Sequence, residues 1–130
     1  MKRLLLIEDD PNTRTGLVDL LRSDGHWVQA AGDGRAGLEL AGAAAFDAML
    51  CDYKLPDMNG LEVCRRLHRL HRHRMLFLFT AYNNAEINRA AKDCGVGKIF
   101  YKPIDLDDLF ATLVSLTAQP AKGKLPSAGD

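Results

Sequence analysis

Short apolar runs alternate with stretches of helical spacing five times along this chain. The runs are Leu4–Ile7, Trp27–Ala31, Ala48–Cys51, Met75–Phe79 and Ile99–Tyr101, each flanked by turn or polar residues. Between them, Leu17, Leu20 and Leu21 fall at i, i+3, i+4. Ile87, Ala90, Ala91 and Cys94 carry the pattern to i+7, as do Leu106, Leu109, Phe110 and Leu113, which is the spacing of one apolar helix face. The punctuation agrees: Asp10 before Pro11 reads as N-cap and first helical residue, and Gly25 and Gly95 sit where helix C-caps belong.

Five strand–helix units in series predict an α/β fold, a doubly wound parallel sheet with helices on both faces, because parallel strands need crossovers and those are right-handed. In such open sheets ligands bind outside the carboxyl ends of the strands, near the point where the strand order reverses. The residues just past the strands are Glu8, Asp9 and Asp10 after the first, Asp52 after the third, Thr80 after the fourth, and Lys102 with Pro103 after the fifth. Positions nearly a hundred residues apart are thereby predicted to meet at one edge.

Composition narrows the classes. A chain of 130 residues, 47% hydrophobic and 26% charged, is one globular domain with a core. Lys plus Arg and Asp plus Glu are equal at 17 each, so no basic excess points to nucleic acid. The three cysteines, Cys51, Cys64 and Cys94, form no CxxC pair and read as reduced thiols of a cytosolic protein. "MKRLLLIEDD" has too short an apolar stretch for a signal peptide or a membrane span.

Crowded carboxylates resist full ionisation unless a cation neutralises them, and oxygen ligands suit a hard ion such as Mg²⁺. A Lys brings a mobile positive charge and a Thr a hydroxyl donor, both suited to phosphoryl oxygens. Taken singly, each has a structural explanation: helix caps for the acidic triplet, a loop hydroxyl for Thr80, a solvated charge for Lys102. Together they describe a site for phosphoryl transfer to aspartate, with Asp52 as nucleophile.

"LLLIEDDP", "DYKLPDMNG", "FLFTA" and "FYKP" resemble, in order, the four signature blocks of the response regulator receiver domain of two-component systems, over roughly residues 1–118. The resemblance implies a flavodoxin-like five-stranded sheet of order 2-1-3-4-5. It implies a phosphoacceptor that takes a phosphoryl group from a phosphohistidine on a sensor kinase or phosphotransfer protein and then switches its surface for a downstream effector. On that similarity Asp52 accepts the phosphoryl group and Thr80 and Lys102 contact its oxygens. Mg²⁺ is held by Asp9 and Asp52, by Glu8 in support, and by the backbone carbonyl of Lys54, and Lys102–Pro103 is cis. The implied protein is a cytoplasmic signalling switch that catalyses only its own phosphorylation and dephosphorylation. It has no membrane or direct nucleic-acid partner, and its last helix offers a homodimer face. Residues 119–130, "QPAKGKLPSAGD" from Gln119, read as a flexible tail or linker start.

Three positions depart from the family pattern. Glu8 stands where many members have Asp. Ile99 stands where an aromatic ring usually turns inward on activation, Tyr101 lying two places and roughly 7 Å further along the strand. Lys54 and Tyr82, two residues after Asp52 and Thr80, are bulky and cannot orient an attacking water, which predicts slow self-dephosphorylation.

Competing readings remain at this point. "GDGRAG", Gly32 to Gly37, is a formal GxGxxG between a strand and a helix with Asp52 some twenty residues on, and keeps nucleotide binding as an alternative to glycines that turn the chain. An inactive receiver-like interaction module is another. A dehalogenase-type phosphatase needs a second Asp two residues after the nucleophile, where this chain has Lys54. "RRLHRLHRHR", Arg65 to Arg74, reads first as a solvated helix end whose cations complement the helix dipole, with acidic-partner docking as the alternative.

Overall fold

The computed structural model describes residues 2–70 and 75–118; the tail expected over 119–130 and the second half of the Arg/His-rich run, 71–74, lie outside the described residues. Ten elements alternate: β1 (Arg3–Ile7), α1 (Pro11–Ser23), β2 (Trp27–Ala31), α2 (Gly34–Ala43), β3 (Ala48–Asp52), α3 (Gly60–Leu70), β4 (Met75–Thr80), α4 (Ala85–Asp93), β5 (Val96–Tyr101) and α5 (Leu106–Ala118). The strands form one parallel sheet of order β2-β1-β3-β4-β5, as expected. No helix among the described residues is long and apolar enough to cross a membrane.

Both sheet faces are covered, so the interiors of the central strands (Leu4–Ile7, Ala48–Cys51 and Leu76–Phe79) are apolar at every position and sort their side chains by the two-residue strand period. Leu4 and Leu6, Ala48 and Leu50, and Phe77 and Phe79 face α1 and α5, where they pack with Leu17, Leu21, Leu109 and Leu113. Leu5 and Ile7, Met49 and Cys51, and Leu76 and Leu78 face the other way onto Ala41, Val63, Cys64, Leu67 and Ala91. Each fully buried Leu or Phe contributes roughly 1.5–3 kcal/mol. Two hydrophobic layers therefore fix the direction of the sheet and, with it, which residues end at its carboxyl edge.

Local chemistry sets the helix ends. The Asp10 side chain accepts from Thr13 N with Pro11 following it, Asp33 caps α2 through Ala36 N, and Asn84 caps α4 through Ile87 N. Gly25 and Gly95 take φ of +93° and +86°, the left-handed step that ends α1 and α4.

Four details differ from the sequence expectations. The strands β3 and β4 run one residue further, so that Asp52 and Thr80 are their last members. The edge strand β5 begins at Val96, since a register shift between Leu76 and Phe77 lets Gly97 pass unpaired. Leu20 is 41% exposed and leaves the core to Leu17 and Leu21. Cys94 is the C-cap of α4 rather than a residue of its last turn, and it packs half-buried against the same core layer as Ala91.

Candidate functional site

The chain reverses its strand order between β1 and β3, and the acidic residues sit there. Glu8 follows β1 directly and still pairs with β2 through its N–H to the Ala31 carbonyl, 3.0 Å. Asp52 closes β3 beside it. Thr80 closes β4, and its carbonyl accepts from the Lys102 N–H at 2.8 Å, which fixes the start of the loop after β5. The Lys102–Pro103 peptide is cis, as the resemblance implied. Glu8, Asp9 and Asp52 each bring one carboxylate oxygen to within 4.8 Å of the others, and Lys102 Nζ lies 2.7 Å from Asp52 Oδ1 and 3.6 Å from Glu8 Oε1. Every side chain expected at the site, Glu8, Asp9, Asp52, Thr80 and Lys102, is thus at the same edge.

The electrostatics of this pocket are unbalanced. Burial pushes the Glu8 carboxyl above its usual range, the backbone N–H of Asp10 opposes, and the charges of Asp52 and Asp9 add to the rise. Burial likewise raises Asp52, against the hydrogen bond and charge of Lys102. For Lys102, burial pulls downward but the hydrogen bond to Asp52 and the charges of Asp52 and Glu8 outweigh it, and its pKa is raised. One ammonium serves three carboxylates. Glu8 Oε2 accepts from the Asp10 N–H at 3.0 Å, whereas Oε1 is buried without a hydrogen-bond partner. An orphaned carboxylate oxygen facing two further carboxylates is the donor set a hard divalent cation fits.

The loops after β3 and β4 are also defined. The Thr80 hydroxyl oxygen accepts from the Tyr82 N–H at 3.0 Å, which leaves its proton free to be donated. The loop after Asp52 is closed by the Lys54–Asn59 bridge and by Gly60 N–H to the Tyr53 carbonyl, 2.6 Å. A Cβ on Gly60 would run into the Asp52 carbonyl oxygen, so only glycine permits α3 to start against the end of β3. This closure holds the Lys54 backbone beside the site. The Tyr82 ring stands edge-on to Tyr53, centroids 5.8 Å apart.

Ile99 packs into the core layer beneath α3 and α4, while Tyr101 is 37% exposed and donates its hydroxyl to Asn88 at 3.0 Å.

The glycine-rich segment has a different purpose from the turn role expected of it. Gly34 and Gly37 let α2 approach the sheet: a Cβ would meet Met58 and Val63 at the first and Ile7 Cδ1 at 2.4 Å at the second. The N–H groups of Gly34 and Arg35 are occupied by the Asp57 carboxylate at 2.8 and 2.9 Å, so the chain's own acid fills the place a nucleotide phosphate would take. Those bonds hold Asp57 below the usual carboxylate range. Within the described part of the Arg/His-rich run, Arg65 and Arg66 both pair with Glu62 on α3, in line with a solvated helix end.

Two polar residues, one at the start of α2 and one at the acidic pocket, escaped the sequence. Asp57 and Arg14 make contacts across long or irregular separations, which no period registers. The Arg14 guanidinium donates from one NH to the carbonyls of Glu8 and Asp9 at 2.8 and 3.3 Å.

Comparison with known proteins agrees with this geometry. The profile of the response regulator receiver domain matches residues 4–114. The chain is 33% identical to the transcriptional regulatory protein TcrA of Mycobacterium tuberculosis over 98% of its own length and 51% of that protein's. It is 31% identical to the response regulator ArlR of Staphylococcus saprophyticus, over 99% of this chain and 59% of that one. It therefore spans about half the length of the curated relatives it matches. A CheY-like receiver domain from Methanospirillum hungatei superposes with a TM-score of 0.88 at 27% identity, covering 94% of this chain and 98% of that one. The chemotaxis protein CheY4 of Vibrio cholerae gives 0.83 at 25% identity, over 89% and 98% of the two chains.

Proposed function

The chain belongs to the response regulator receiver domain family of two-component systems, and from that membership we propose that it is a phosphoacceptor in which Asp52 takes the phosphoryl group. The observation that carries the proposal is the trio of carboxylates, two of them paired with one lysine, with Glu8 Oε1 buried and without a hydrogen bond. Asp9 and Asp52, the Lys54 carbonyl, and Glu8 in support would hold Mg²⁺. When bound, the ion neutralises the acidic oxygens and offsets charge on the incoming phosphoryl group.

The remaining steps belong to the chain. An Asp52 carboxylate oxygen forms the new O–P bond as the P–N bond of a phosphohistidine breaks, the electron pair staying on the imidazole nitrogen. Lys102 Nζ, 2.7 Å from Asp52 Oδ1 before transfer, is placed to move to a phosphoryl oxygen. The Thr80 hydroxyl donates to another, drawing the loop after β4 inwards. With Ile99 inside the core layer, that movement passes through Thr80 and Tyr82 rather than through an aromatic ring on β5. Residues 1–118 form the receiver. The donor is a sensor kinase or phosphotransfer protein, the recipient of the signal an effector protein, and the receiver turns over no other substrate. Lys54 and Tyr82 leave no group to orient a hydrolytic water, so the acyl phosphate is long-lived.

Intact mass after incubation with Mg²⁺ and a small acyl phosphate tests the assignment. One added phosphoryl group on the wild type, absent with chelator and absent in Asp52→Asn, is expected. A wild type that stays unmodified while a control receiver is labelled would overturn it.

A further inference from the structure

The β1–α1 turn carries two of the three carboxylates, and it is held from two sides. From the inside, the Asp10 N–H binds Glu8 Oε2 and leaves Oε1 directed to the other acids. From the outside, Arg14 NH1 donates to the carbonyls of Glu8 and Asp9, so one planar group ties the two peptide units whose orientation sets both side chains. Arg14 is itself seated: its N–H binds the Asp10 carbonyl at 2.8 Å, and the turn before it is fixed by Asp10 Oδ2 accepting from Thr13 N and Oγ1 at 2.8 and 2.7 Å. Across the gap, a Cβ on Gly32 would lie 3.0 Å from Arg14 NH1, so the glycine after β2 leaves room for the guanidinium.

A guanidinium carries a permanent positive charge, and a positive charge beside a cation site works against the cation. Whatever Arg14 adds to metal binding must come from geometry. We propose that Arg14 is a positioning residue for the divalent cation: by clamping the Glu8 and Asp9 carbonyls it holds their carboxylates in the binding arrangement. The proposal rests on the metal reading above. Partners behind ligating groups commonly change metal affinity by about 10–100-fold when removed.

The two effects have opposite signs, which makes them separable. Thermal midpoints are titrated with MgCl₂ at constant ionic strength, choline chloride making up the difference, for wild type, Arg14→Met, Arg14→Gln and Arg14→Lys. Arg14→Met, which loses both charge and donors, should need roughly tenfold more Mg²⁺ for half its shift. Arg14→Gln, neutral but able to donate to a carbonyl, should recover most of the affinity. Arg14→Lys, charged but with its one nitrogen on a shorter, flexible stem that does not fix it between both carbonyls, should be weakened and serves if Arg14→Met does not fold. An Arg14→Met or Arg14→Lys protein that binds Mg²⁺ as tightly as wild type, or more so, would overturn the positioning role alone. A wild type indifferent to Mg²⁺ would remove the metal reading and this role with it.

Discussion

Asp9→Asn removes one of three negative charges whose oxygens lie within 4.8 Å of each other, and leaves the fold's own bonds intact because the cap of α1 is Asp10. Two unit charges at that separation repel by roughly 3 kcal/mol at an effective dielectric of about 20 and by roughly 1 kcal/mol in water. Asp9 is exposed, so the lower end applies, and the Lys102 and Arg14 charges offset part of the repulsion, which leaves a gain of under about 1 kcal/mol for the metal-free protein. For a domain of this size each kcal/mol moves the midpoint by about 3–5 °C. Mg²⁺ acts in the other direction: at ten times its dissociation constant it stabilises the wild type by about 1.4 kcal/mol, and the variant should lose most of that response. Calorimetry in chelator and in MgCl₂ reads both effects. A variant less stable than wild type in chelator, or one with an undiminished Mg²⁺ response, would refute the electrostatic account.

The sign with pH follows from the same pocket. Glu8 and Asp52 have folded pKa values above the ordinary 4.5 and 3.8, so the folded state binds more protons than the unfolded chain in the window just above those values. Their contribution is favourable to the metal-free fold at low pH and is lost as pH rises through the raised values. In the same window the Mg²⁺ stabilisation should grow with pH, as protons leave the oxygens the ion needs. Lys102 has the opposite placement: its contribution is complete below its ordinary 10.5 and disappears only as pH rises through its raised folded value.

Three further outcomes are expected. Asp57→Ala uncaps the Gly34 and Arg35 N–H groups and should lose about 1 kcal/mol by chemical denaturation, a difference that narrows at acid pH as the wild-type carboxylate, lowered in the fold, finally takes up its proton. Gly60→Ala puts a methyl against the Asp52 carbonyl and the Tyr53 Cα, backbone atoms that cannot turn aside. Stability should fall by roughly 1–3 kcal/mol and labelling of Asp52 should slow, and an unchanged labelling rate would count against the close approach. Lys54→Asn with Tyr82→Glu should shorten the acyl-phosphate lifetime, followed by intact mass after donor removal; an unchanged decay would show that these side chains do not limit water.

What the sequence made legible was whatever repeats. Apolar runs, helices with a stripe at i, i+3, i+4, and caps such as Asp10–Pro11 are local signals, and they carried the strand count and the edge at which Glu8, Asp52, Thr80 and Lys102 meet, whereas the strand order came from the family resemblance. Strand β5 was read short because Val96 to Lys98 mixes Gly and Lys into an edge strand where one side is unpaired. The "GDGRAG" segment was read as a turn because close packing against Ile7 and Met58 is invisible without the partner elements. Asp57 bonds to residues 22 and 23 positions away, and Arg14 reaches main-chain carbonyls, for which side-chain chemistry leaves no pattern. The one available signal for Arg14 was its place one helical turn after the Asp10 cap, which turns its side chain back towards the acidic loop.

The distribution of polarity through the fold explains how the acidic pocket persists. Along β1 the side chains of Leu4 to Ile7 are fully buried, and the next residue, Glu8, is a buried acid with one oxygen lacking a hydrogen bond. The same boundary is crossed on β3 between Cys51 and Asp52 and on β4 between Phe79 and Thr80. In each strand the apolar layers on both faces set the register, and the polar residue occupies the one place where the layers end. Mutual repulsion between Glu8 and Asp52 therefore has no cheap relaxation, because moving either backbone away would drag a strand out of two packed layers. The unfavourable charge is held in place by burial elsewhere, which is the condition under which a cation and then a phosphoryl group can act strongly on it.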